Sequence, residues 1–123
     1  MARSRRSARD AGTRFERLVA DYLAAALDDD RIDRRAKTGA KDRGDIAGLR
    51  HMGGRIVAEC KNTARLELSA WLAEAETERG NDDALAGIVI HKRHGKAAAG
   101  DQLVTMTLAD LAAILTGIRK DNQ

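Results

Sequence analysis

Residues 85–90 read Leu-Ala-Gly-Ile-Val-Ile, six positions without a polar side chain. A strand with one wet face alternates apolar and polar residues, so an unbroken apolar run marks a strand covered on both faces. A chain carrying such a strand must place helices on both sides of its sheet, and 123 residues suffice for one domain of that kind. The composition agrees. Phe15, Tyr22 and Trp71 are the only aromatic residues and proline is absent, so Ala, Leu, Ile and Val must build the core.

Residues 1–9 read as a flexible basic arm, and residues 10–123 as the single domain. Phe15, Leu18, Val19, Tyr22, Leu23 and Ala26 recur at three- and four-residue spacing, which predicts a helix over 10–27. A second helix, with Trp71 inward, is expected from 66 or 68 to 79, broken by Gly80-Asn81-Asp82. Its other faces, with Glu67, Glu74, Glu76 and Glu78, read as an acidic, solvated surface. A third helix follows the capping residue Thr107 over 108–118, with Leu111, Ile114 and Leu115 inward. Strands are expected at 31–37, 45–49, 55–61, 85–90 and 102–106, with a turn at His51-Met52-Gly53-Gly54. The predicted order is αβββαββα around a mixed central sheet.

The third strand carries the chemistry. Ile56, Val57 and Ala58 belong in a core, yet the strand continues into Glu59, Cys60 and Lys61. Alternation puts Glu59 and Lys61 on one face, about 7 Å apart. The Gly53-Gly54 turn can bring Asp45 alongside Glu59. A buried strand gains nothing by ending in charges unless they are paired or liganded. Two carboxylates suit Mg²⁺, a hard cation that prefers oxygen, and a neighbouring lysine can neutralise charge on a reacting phosphate. Glu16, on the shoulder of the first helix, has two readings: an edge charge paired with a nearby arginine, or a further acid aimed at the margin of the sheet. Glu59 and Lys61 can also be read as a plain ion pair at an exposed strand end.

Other residues have plainer readings. Cys60 alternates away from Glu59 and reads as a small buried hydrophobe; as the only cysteine it excludes an internal disulfide and a multi-cysteine zinc site. His91 and His94 read as surface residues of a basic loop, and Glu76 as a surface charge. The net charge is +3, from 22 basic and 19 acidic residues, and four positives, Arg3, Arg5, Arg6 and Arg9, fall within the first nine residues. A basic arm ahead of a balanced domain suggests contact with phosphates. No segment reads as a signal peptide or a membrane span, so the expectation is a soluble, cytoplasmic protein without a membrane partner.

Gly12-Thr13-Arg14-Phe15-Glu16, Asp42-Arg43-Gly44-Asp45-Ile46 and Glu59-Cys60-Lys61 resemble, in order, the motifs of the PD-(D/E)XK nuclease superfamily. Within it they are most similar to the small archaeal and phage-type Holliday junction resolvases, and His91-Lys92-Arg93 is similar to the phage-type members. The chain departs from the pattern where Gly44 replaces the motif's proline.

The resemblance implies a restriction-endonuclease-like αβββαβ core and a structure-specific endodeoxyribonuclease acting on branched DNA, with four-way junctions as substrate. Flaps, nicks or duplex ends are alternative substrates, and a catalytically silent DNA-binding protein is the rival outside enzymes. Asp45, Glu59 and the Cys60 carbonyl would hold Mg²⁺, with Mn²⁺ able to substitute. Glu16 would complete the site directly or through water, and Lys61 would be the catalytic lysine. Two symmetric cuts imply a homodimer. Arg34, Arg35, Lys37, Lys41, Arg43, Lys92 and Arg93 would line the DNA face, with the N-terminal arm wrapping phosphates.

Overall fold

The computed structural model describes residues 4–36 and 43–120. It is an α/β arrangement with a four-stranded mixed sheet, a two-stranded sheet and three α-helices. Arg3, Lys37 and Lys41 lie outside the described residues.

Helix α1 spans Arg5–Ala26, five residues earlier than the apolar stripe predicts. Ser4 caps it, its hydroxyl accepting the Ser7 N–H at 3.0 Å, and the arginines and alanines that follow are good helix formers. Arg5, Arg6 and Arg9 are therefore exposed residues of α1, which begins inside the stretch read as a flexible arm. Phe15, Val19 and Ala20 bury the inner stripe, while Tyr22 is half exposed.

Strands β1 (Asp33–Arg34) and β2 (Ile46–Ala47) pair antiparallel and are much shorter than the sequence suggests. While β2 pairs with β1 in a separate sheet, the hairpin expected between 45–49 and 55–61 is made instead by β3 (Arg50–His51) and β4 (Gly54–Lys61). Its turn residues Met52 and Gly53 both take positive φ, at 50° and 83°, as a two-residue type I′ hairpin turn requires.

The apolar run becomes β5 (Ala86–His91), parallel to β4, with Glu59 opposite Val89 and Lys61 opposite His91. Between them, helix α2 (Leu68–Asp82) passes straight through Gly80 and Asn81, where the sequence predicts a break. A helical glycine costs about 1 kcal/mol relative to alanine. That cost is offset because continuing the helix delivers Asp82 to Arg55, whose Nε donates to Oδ2 at 3.0 Å. The helix ends at Asp83 in the left-handed region. Strand β6 (Leu103–Thr105) then pairs antiparallel with β5, completing the order β3-β4-β5-β6.

Both faces of β5 are covered, as its composition demands. On one side α1 packs Phe15, Val19 and Ala20 against Ala58 and Ile90; on the other, α2 packs Trp71 and Ala75 against Val89. Helix α3 (Leu108–Thr116) is capped by Thr107 as expected and Ile114 is half-buried, but the two leucines expected inward are not. Leu111 and Leu115 are 38% and 74% exposed, and Asp110 and Ala113 are buried instead. The reason is polar. Asp110 accepts the Thr107 hydroxyl at 2.8 Å, the Gly87 N–H at 3.2 Å and Arg119 at 2.6 Å, and a buried carboxylate needs such partners.

Candidate functional site at the end of strand β4

Strand alternation separates the side chains and the backbone groups of β4 into two sets. The backbone N–H and C=O groups of Ile56, Ala58 and Cys60 turn toward β2: Ile56 N–H donates to Leu49 O at 2.9 Å, and Ala58 O accepts from Asp45 N–H at 2.8 Å. Cys60 N–H continues the series by donating to the Asp45 carboxylate, Oδ2, at 2.8 Å. The Cys60 carbonyl therefore faces the edge where Asp45 sits.

Close approach of the Asp45 segment depends on Gly44. Its φ is +93°, and a Cβ there would lie 2.9 Å from the Ala58 carbonyl oxygen. Only glycine accepts both the angle and the approach. A permissive backbone before the acid is thus required by the geometry, and Gly44 in place of the motif's proline supplies it.

The side chains of Glu59 and Lys61 point to the face covered by α2, as alternation predicts, and there the solvated-surface reading of α2 fails for Glu78, while Glu67, Glu74 and Glu76 are exposed as expected. Arg55 faces Asp82, Glu59 faces Glu78, and Lys61 Nζ donates to Glu74 Oε1 at 2.6 Å. From Glu59 to Lys61 β4 advances about 7 Å, and from Glu78 to Glu74 α2 advances about 6 Å, so these two charged pairs stay nearly in step. Glu59 and Glu78 are each 3% exposed, and Glu59, Glu74 and Glu78 bring carboxylate oxygens within 4.8 Å of one another. An all-oxygen donor set of this kind suits a hard divalent cation. Glu74 and Glu78 were readable in principle, because they share helical spacing with Trp71 and Ala75, but their charge argued for solvent.

Asp45 and Glu16 are not among the three acids whose oxygens lie within 4.8 Å of one another, but the charges of the expected site residues all act on Cys60. Burial is the main effect pushing its thiol far above the ordinary range, followed by the charges of Asp45, Glu16 and Glu59, with Lys61 opposing them. Cys60 packs beside the α1 core cluster and is an inert thiol, in line with its reading as a small hydrophobe. Lys61 is held as a cation. Burial, the largest influence, lowers its pKa, but the hydrogen bond and charge of Glu74, with Glu59 and Asp45, outweigh burial and raise it.

Glu16 is drawn into an ion pair. Arg34 donates to its Oε1 through Nε at 3.1 Å and a terminal nitrogen at 3.0 Å, with side chains 17% and 30% exposed. That is the paired-arginine reading of Glu16, and it occupies Arg34, one of the cations expected on a DNA face. Lys92 is similarly occupied, its ammonium donating to the carbonyls of Arg93 and Lys96. Arg93 is exposed, and Arg35 N–H donates to the Asp45 carbonyl at 2.7 Å.

His91 departs from its surface reading. It ends β5, is 4% exposed, stacks 5.5 Å from Trp71 and bonds Thr105 Oγ1 through Nε2 at 2.8 Å. Burial lowers its pKa, which favours the neutral ring. Trp71 is core, as expected, and His94 is exposed. Glu76 is a half-exposed surface acid paired with Arg79 at 2.6 Å and Arg119 at 3.7 Å.

No helix among the described residues is long and apolar enough to cross a membrane. In comparisons with known proteins, the chain matches no family model, no curated protein and no solved structure.

Proposed function

We propose that the chain is a Mg²⁺-dependent endodeoxyribonuclease with a restriction-endonuclease-like core, acting on branched DNA and most directly on four-way junctions. One observation carries the reading: the Asp45 carboxylate accepts the Cys60 N–H at 2.8 Å, next to Glu59 and Lys61. This bond joins two of the stretches that carry the nuclease resemblance, and the charge of Glu16 from the third also acts on Cys60, which supports the reading.

The donor chemistry fits Mg²⁺. Asp45, Glu59 and the Cys60 carbonyl offer only oxygen, and a carboxylate that accepts one hydrogen bond has lone pairs left for a cation. Bound there, the cation would polarise the phosphate and lower the pKa of a water. Lys61, kept protonated by Glu74, then serves as a fixed positive charge for the phosphate oxygens rather than as a base. Glu16 contributes through Arg34 and the electrostatics around Cys60. Two symmetric cuts on a junction call for a homodimer, with Mn²⁺ as an alternative cation.

The test is cleavage of junction, flap and duplex DNA with Mg²⁺ by wild type, Asp45→Asn, Glu59→Gln and Lys61→Ala. All three variants should lose cleavage by about 10²-fold or more while keeping junction binding. Undiminished cutting by Glu59→Gln would falsify the site. Equal cutting of duplex and junction removes the junction preference and leaves the nuclease. Junction binding without cutting makes the chain a binding protein.

A further inference from the structure

Beside the carboxylate site lies a polar cavity of about 450 Å³, walled by Arg35, Arg43, Arg50 and Arg55 with Asp82. Arg50 and Arg55 have no place in the expected DNA face; the β3–β4 hairpin brings them to it. We propose that this cavity binds a phosphate group of the same nucleic-acid strand whose scissile linkage lies at Asp45 and Glu59. The choice of a nucleic-acid phosphate rests on the nuclease reading; the cavity's affinity for an oxyanion does not.

Charge is the first argument. Four guanidinium groups share one carboxylate. Asp82, only 7% exposed at its side chain, engages Arg55 at 3.0 Å and Arg43 at 3.6 Å. Among the described residues, neither Arg35 nor Arg50 lies within 4.0 Å of a carboxylate. Like charges gathered in a concave space repel one another unless an anion joins them, and the arginine fork matches the oxygens of a phosphate.

A buried donor is the second argument. Arg35 Nε has no hydrogen-bond partner among the described residues, although it is out of contact with solvent. Buried donors are nearly always satisfied, so a small shift of the Arg35 side chain, which lines the cavity, lets an oxyanion supply the missing acceptor.

Position is the third. Arg35 donates its backbone N–H to Asp45 O at 2.7 Å, and Arg43 precedes Asp45 by two residues. Along β4, Arg55 at the cavity and Glu59 at the carboxylates are four residues apart, about 13 Å. At about 3.4 Å per nucleotide, a strand of roughly four nucleotides covers that distance. Asp82 holds two of the arginines in place without neutralising the cavity, so the anion meets preset donors.

The full-length protein in EDTA is titrated with a 3′-labelled single-stranded oligonucleotide carrying either a 5′-phosphate or a 5′-hydroxyl, with inorganic phosphate as competitor. Wild type is compared with Arg50→Gln, an exposed hairpin position whose replacement leaves the core alone, and with Arg35→Gln. The expected result is a loss of affinity of about tenfold in Arg50→Gln, a salt slope smaller by about one, and competition by phosphate in wild type only. A preference for the 5′-phosphate identifies a terminal phosphate as the occupant; equal affinities identify a backbone diester, and both support the cavity. Wild-type affinity and salt slope in both variants overturn it. Mg²⁺-dependent cutting that neither variant impairs also overturns the cavity but leaves the nuclease. Phosphate binding lost in the variants, in a protein that never cuts, supports the cavity and removes the nuclease.

Discussion

Asp45 and Cys60, fifteen residues apart in sequence, are joined by a 2.8 Å hydrogen bond from the Cys60 amide to the Asp45 carboxylate. A side chain here takes the place of the next backbone acceptor along the β2 edge of β4, so an acid is built into the hydrogen-bonding pattern of the sheet. The consequence is positional rigidity: Asp45 cannot move without breaking a strand-edge bond. Rigid placement of carboxylates is what cation binding and electrostatic catalysis require.

Gly44 controls that placement. Gly44→Ala is expected to cost about 2 kcal/mol in chemical denaturation, through strain at positive φ and contact with the Ala58 carbonyl. It should also displace Asp45 and weaken cation binding in the protein that remains folded. A variant as stable as wild type would mean that the segment relaxes without loss.

Cation binding should separate the acids by role. Mn²⁺ at 100 times its Kd is expected to stabilise wild type by about 2.7 kcal/mol in thermal melts. Asp45→Asn and Glu59→Gln should abolish that response. Glu16→Gln should lower stability by about 1 kcal/mol through loss of its Arg34 pair, yet keep the response to Mn²⁺. Loss of the response in Glu16→Gln would place Glu16 among the ligands instead.

Asp110 holds α3 to the sheet. Its carboxylate, 4% exposed, meets Thr107, Gly87 and Arg119, so Asp110→Ala should cost about 3 kcal/mol by stranding a partly buried arginine. Asp110→Asn should cost less, because it keeps an oxygen for Gly87. Urea denaturation of both variants checks the ranking, and equal losses would count against a charge-based role.

The Arg17–Asp33 contact, 2.6 Å, ties α1 to β1 and makes stability depend on pH. The hydrogen bond from Arg17 is the main cause lowering the Asp33 pKa below 3.8. A depressed carboxylate pKa stabilises the fold above the unfolded value and loses that effect as pH falls through the folded one. Asp33→Asn should therefore be less stable than wild type at neutral pH, and the two should converge below pH 3.8. A difference that persists at lower pH would assign the effect to geometry rather than charge.

By itself the sequence determined the α/β class, the covered strand β5, a turn ahead of β4, the Thr107 cap, and Glu59 and Lys61 on a common face. These follow from periodicity and turn chemistry, which act within a few residues. The tertiary structure alone decided the rest, because the balance at each of those positions depends on distant partners. Asp82 finds Arg55 and carries α2 past Gly80; Asp110 finds Gly87 and Arg119 and turns the leucines of α3 outward. Glu78, read from its charge as a solvated residue, is buried opposite Glu59 because α2 packs that face against β4, and its step to Glu74 nearly matches the strand step from Glu59 to Lys61. The arginine cavity has the same origin: its four cations are scattered over twenty-one positions, and only the hairpin and the α2 terminus bring them to one place.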